Sequence, residues 1–112
     1  MLTLYHNPRC SKSRACLKLL QDASIPVNIV DYIREGLSLT LLKRFADTLS
    51  LEAILRKNEA LYKELNLEGA DNKTILEAIA AHPQLMQRPI AVLGEEMILA
   101  RPPEKILELV NE

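Results

Sequence analysis

The sequence predicts an α/β fold, and three observations carry that reading. Short apolar runs with β-formers stand near both ends of the chain, at 2–5, 27–32, 89–93 and 97–100. Between them lie stretches whose apolar residues recur at helical spacing. The first three elements follow the order strand, helix, strand within about 30 residues, the mark of a right-handed βαβ unit with parallel strands. The 112 residues, 48% of them hydrophobic, suffice for one domain with a single packed core.

"LTLY" (2–5) reads as a buried strand, broken by "HNPR", where Asn7-Pro8 favours a turn. A helix follows from about Ser11, with Ala15, Cys16, Leu19 and Leu20 on one face, and "QDAS" ends it. "VNIVDY" (27–32), after Pro26, is the second strand. Ser38 is a good N-cap for "LTLLKRFADTL", whose Leu39, Leu42, Phe45 and Leu49 make an apolar stripe. "LEAILRKNEALYKEL" (51–65) reads as one or two short helices. Asp71 or Asn72 caps "KTILEAIAAH", which stops before Pro83. "PIAVL" (89–93), a "GEE" turn and "MILA" (97–100) form an antiparallel hairpin. In "RPPEKILELV", Pro102 or Pro103 suits a first helical turn, with Ile106, Leu107 and Val110 facing inward.

That order is the order of a thioredoxin-like sheet with a helical insertion. The expected division is one domain over 1–112, its core about 1–35 and 85–112, its insertion about 36–84. The net charge of −1 gives no general attraction to nucleic acid or to an anionic membrane. No apolar run approaches the ~20 residues of a membrane helix, and "MLTLYHNP" lacks the features of a signal peptide. A cytoplasmic location is the default expectation.

Cys10 stands out because it precedes a helix among Arg9, Ser11, Lys12 and Arg14, with His6 upstream. Free N–H groups and the dipole at a helix start favour thiolate over thiol, and thiolate is the nucleophile. His6 and the nearby arginines are expected to add positive charge. Ser11 and Ser13 offer hydroxyls to a thiolate or a bound oxyanion. Cys16 shares a face with Leu19 and Leu20 and reads as a core residue. Six helical residues rise about 9 Å, too far for a Cys10–Cys16 disulfide without unwinding. There is neither a C-x-x-C pair nor the C-x5-R loop of cysteine phosphatases. A monothiol cycle therefore needs an external thiol to finish. No residues show metal-ligand spacing, and His82, before Pro83 at a helix end, reads as structural.

"LYHNPRCSKSR", "LLKRFADTL", "ILRKNEALYKEL", "HPQLMQRPIAV" and "LARPPEKILELV" together resemble the glutaredoxin-dependent arsenate reductase family, in the right order over the whole chain. The resemblance implies that Cys10 is the single catalytic cysteine and that His6 supports its thiolate. It also implies that Arg56, Arg88 and Arg101 bind the oxyanion, and that the X-Pro bond at Arg88 lies beside the cysteine. In the implied reaction Cys10 forms a thiol–arsenate ester. Glutathione, a co-substrate, attacks it, glutaredoxin removes the glutathione as a mixed disulfide, and arsenite is released; no bound cofactor is needed. Two unit charges 4 Å apart repel by about 4 kcal/mol at an effective dielectric of ~20, and guanidinium groups offset this. Lys12 departs from the pattern, standing where arsenate reductases often carry threonine. Two other readings remain open: a redox-responsive regulator of the same fold, and a monothiol enzyme acting on glutathione adducts.

Overall fold

The computed structural model describes residues 1–110. In chain order the elements are β1 (Leu2–His6), α1 (Ser11–Asp22), β2 (Val27–Asp31), α2 (Tyr32–Glu35), α3 (Leu39–Leu49), α4 (Leu51–Ile54), α5 (Ala60–Glu64), α6 (Asn72–Ala81), β3 (Ile90–Leu93), β4 (Glu96–Leu99) and α7 (Ile106–Val110). Single 3-10 turns at Pro83–Leu85 and Pro103–Lys105 precede β3 and α7. They form two compact units: Met1–Glu35 with the chain from Arg88 onward, and Gly36–Gln87.

The first unit is the thioredoxin-like part. Among the described residues its strands make one sheet in the order β2-β1-β3-β4. β1 runs parallel to β2, with His6 opposite Asp31, and antiparallel to β3, with Tyr5 opposite Ile90. Because β1 is central, Leu2, Leu4 and His6 alternate into the interior while Thr3 and Tyr5 are only partly covered. Leu2 and Leu4 join Cys16 and Leu20 of α1, Ala91, Ala100, and Ile106 and Leu109 of α7 in one core. Complete burial of Leu4 or Leu20 stabilises by about 2 kcal/mol each.

The buried face of α1 is Ser13, Cys16 and Leu20, with Leu17 and Leu19 packed beside it. Ala15, expected inside, is exposed, because the positions three before and four after Cys16 set the inward phase. After Asp22 the chain turns at Ser24, with a left-handed φ of 57°, and the Ile25 N–H returns to the Leu20 carbonyl at 3.0 Å. Arg88–Pro89 and Arg101–Pro102 are both cis.

The second unit is helical. Ser38 Oγ accepts the Leu41 N–H at 3.1 Å and Asp71 Oδ1 accepts that of Thr74 at 2.8 Å, so both expected caps start their helices. α3 buries Leu42 and Phe45, but Leu39 at the head of the expected stripe is 46% exposed. Ser50, with φ 80°, breaks α3 from α4 and caps α4 through Ala53. α6 buries Leu76 and Ile79 and closes with the His82 N–H on the Ala78 carbonyl at 2.8 Å. An isolated bridge pairs Leu55 with Met86, flanked by Arg56 N–H to Leu85 O and Gln87 N–H to Ile54 O.

Candidate active site

The loop between β1 and α1 is folded by its own short hydrogen bonds. The Asn7 carbonyl accepts the Cys10 N–H, and the Asn7 side-chain oxygen accepts the Arg9 N–H, both at 3.0 Å. The Arg14 guanidinium reaches back to the Pro8 carbonyl at 2.9 Å. These bonds hold Cys10 in an extended conformation (φ −95°, ψ 124°) at the N-cap of α1, where its own carbonyl accepts the Arg14 N–H. No side-chain cap hydrogen bond is made there; the N–H groups two and three residues on, those of Lys12 and Ser13, act on the sulfur electrostatically.

The thiol's environment follows from that placement. Cys10 is only 8% exposed. Burial pushes its pKa up; the Ser13 N–H, the Arg88 side chain, the Lys12 N–H and the Arg88 charge outweigh it, so the thiol lies below its ordinary value. Cys16, two turns into the core, has burial alone acting on it and is pushed up to about 11. One helix therefore carries a thiol poised to ionise and another held neutral. Of the two, Cys10 is the readier nucleophile.

Arg88 arrives at Cys10 because β3 pairs with β1. Ile90 lies opposite Tyr5, so the residues just before β3 stand beside the loop that follows β1. Arg88 is half-buried, and its Nε is buried without a hydrogen-bond partner among the described residues. Arg101 follows β4, and its guanidinium donates to the Arg88 carbonyl at 3.2 Å. The Ala100 N–H donates to the Pro89 carbonyl at 3.0 Å, closing the hairpin around both arginines. Cys10 and Arg88 are thus brought together in the first unit, with Arg101 held on the Arg88 main chain. Arg56 belongs to the second. There its guanidinium meets Glu59 Oε2 and the Gln84 carbonyl, each at 3.2 Å.

Two expectations need correction. His6 is 6% exposed, and burial pulls its pKa down; Asp31 opposes that and Arg14 reinforces it, leaving it below the ordinary value. At neutral pH His6 is neutral and adds no positive charge, contrary to the sequence expectation. Ser13, expected to bind an oxyanion, is completely buried. Its Oγ accepts the Asn7 N–H at 3.0 Å and lies 2.6 Å from His6 Nδ1. No face of that hydroxyl is left for substrate. Ser11, at the first position of α1, is exposed and remains available. Sequence reasoning missed Asn7, whose turn bonds were hinted at by the Asn-Pro pair, and Asp31, which only strand register sets opposite His6.

Among the described residues, no group of three or more His, Cys, Asp or Glu is arranged to hold a metal ion, and no helix is long and apolar enough to cross a membrane.

Residues 5–109 match the model of the ArsC family. An arsenate reductase of Neisseria meningitidis serogroup A is 40% identical over 110 residues, covering 94% of each chain. The uncharacterized protein YfgD of Escherichia coli is 37% identical over 113 residues, covering 96% of this chain and 95% of its own. The solved structure of an arsenate reductase from Vibrio cholerae superimposes with a TM-score of 0.90 at 39% identity, over 96% of this chain and 95% of that one.

Proposed function

Since the chain belongs to the ArsC family of arsenate reductases, we propose that it reduces arsenate to arsenite through Cys10, with glutathione and glutaredoxin supplying the electrons. The observation that carries this reading is the Arg88 guanidinium set against a Cys10 sulfur whose pKa is already lowered at the start of α1. The thiolate attacks arsenic, an arsenic-bound hydroxyl takes a proton from solvent and leaves as water, and an As–S bond forms. The guanidinium groups of Arg88 and Arg101 offset the repulsion between thiolate and oxyanion. Arg101 spends one N–H on the Arg88 carbonyl, and a guanidinium has four more.

Glutathione then displaces a second hydroxyl as water and becomes a ligand of arsenic. A glutaredoxin thiolate attacks the glutathione sulfur to form a mixed disulfide. The electron pair of the broken S–As bond stays on arsenic, taking As(V) to As(III). Water finally cleaves Cys10 from arsenic, releasing arsenite and restoring the thiolate. A cycle that consumes glutathione and leaves both cysteines reduced suits the cytoplasm.

The test is NADPH oxidation coupled through glutathione reductase, with glutathione and glutaredoxin present, with and without arsenate. Arsenate-dependent turnover that disappears in a folded Cys10→Ser variant is the expected result. Turnover of glutathionylated peptides with no response to arsenate would replace this reading with deglutathionylation.

A further inference from the structure

The loop that presents Cys10 is anchored from beneath by a single hydroxyl. Ser13 Oγ is fully buried and sits between two groups of the preceding strand end, the Asn7 N–H at 3.0 Å and His6 Nδ1 at 2.6 Å. A hydroxyl has one proton and two lone pairs. The Asn7 N–H occupies a lone pair, because a backbone amide can only donate. The proton needs an acceptor, and with no access to water the described partner is His6 Nδ1. That assignment makes His6 a neutral imidazole with its own proton on Nε2. Asn7 in turn accepts the Cys10 N–H at 3.0 Å, so the chain of bonds ends on the nucleophile's own backbone.

We propose that Ser13 is a positioning residue that transmits His6 to Cys10: the His6–Ser13–Asn7 bonds fix the turn that aims the Lys12 and Ser13 N–H groups at the sulfur. His6 then supports the thiolate by accepting a hydrogen bond, not by carrying charge. The charged groups facing His6 are Asp31 from β2 and Arg14 from α1, of opposite sign. Removing the acceptor or the hydroxyl loosens the turn equally, so the two losses do not add. This rests on Cys10 as the nucleophile of the proposed reaction, but its readout does not involve arsenate. A protein inactive toward arsenate that shows the pattern below would lose the proposed function and keep this inference.

The experiment measures the rate of Cys10 alkylation by iodoacetamide against pH in wild type, Ser13→Ala, His6→Ala, His6→Asn and the Ser13→Ala/His6→Ala double variant. Asparagine places a neutral acceptor near the position of Nδ1. Ser13→Ala and His6→Ala are each expected to slow alkylation at pH 6 by about tenfold, the upper range for one lost hydrogen bond. The double variant should be no slower than either, and His6→Asn should recover most of the rate. If Ser13→Ala alkylates like wild type while His6→Ala does not, His6 acts without Ser13 and the inference fails. It fails equally if His6→Asn behaves like His6→Ala. Should Ser13→Ala not fold, the contrast between the two His6 variants decides alone.

Discussion

Replacing Arg88 with methionine separates two roles that share one side chain. The guanidinium faces the Cys10 sulfur with both a hydrogen bond and a charge, and both favour thiolate. A hydrogen bond to a charged group contributes about 1.5–3 kcal/mol. Arg88 is only half-buried, and solvent screening brings the usable part down to about 1.4 kcal/mol, a tenfold change in thiolate population. The Ser13 and Lys12 N–H groups remain, so the thiol should move toward its ordinary value without passing far beyond it. Alkylation by iodoacetamide at pH 6 should therefore slow about tenfold. Stability should move the other way or not at all. Methionine keeps the apolar stem and removes the buried, unpartnered Nε, a group whose orphaning costs about 1–3 kcal/mol. Arg101 keeps its acceptor, since it bonds the Arg88 main-chain carbonyl. The melting temperature should accordingly hold or rise by a few degrees, about 4 °C per kcal/mol at this size. A variant that alkylates at the wild-type rate at pH 6, with an unchanged pH midpoint, would refute the assignment of Arg88 to the thiolate and leave it to the oxyanion alone.

Three further outcomes are expected. Cys16→Ala should leave turnover intact and lower stability by about 1 kcal/mol through a small core void, read from urea denaturation; mass spectrometry of native wild type after brief alkylation should find the label on Cys10, since Cys16 is buried with its thiol pushed up to about 11. Stability should decline on mild acidification. The folded protein holds His6 below its unfolded value of about 6.5, so the unfolded chain binds the extra proton first, and stability falls as pH drops from there through the folded midpoint; thermal melts at a series of pH values should show that limb, and His6→Asn should lack it. Ser38→Ala removes the hydroxyl that receives the Leu41 N–H and should cost about 1 kcal/mol in a urea melt.

How far the sequence carries depends on how local the cause is. The start of α1 is legible because Asn7-Pro8 ends β1 and frees the next residues to begin a helix; both caps, Ser38 and Asp71, were legible for the same reason. The parallel pairing of β1 with β2 follows from the length of their connection. The four residues of α2 are too few to carry a period, and its first, Tyr32, falls in the stretch expected to be the second strand. Ser13 was read as an anion ligand because serine near a helix start usually faces solvent; its burial depends on the phase set by Cys16 and Leu20 against the sheet. The neutral state of His6 depends on Ser13, seven residues away, and on Asp31, across a strand pair. Arg101 was legible as a candidate arginine, but its bond to the Arg88 carbonyl arises only once the hairpin between them closes.

The strand order β2-β1-β3-β4 also gives the site a history during synthesis. Cys10 leaves the ribosome some 78 residues before Arg88, which reaches it through the pairing of β3 with β1. A nascent chain that has made β1, α1 and β2 carries its future nucleophile without the guanidinium that helps ionise it. The thiol is thus less reactive toward electrophiles and oxidants before β3 is made, and it gains the guanidinium's help when β3 pairs with β1.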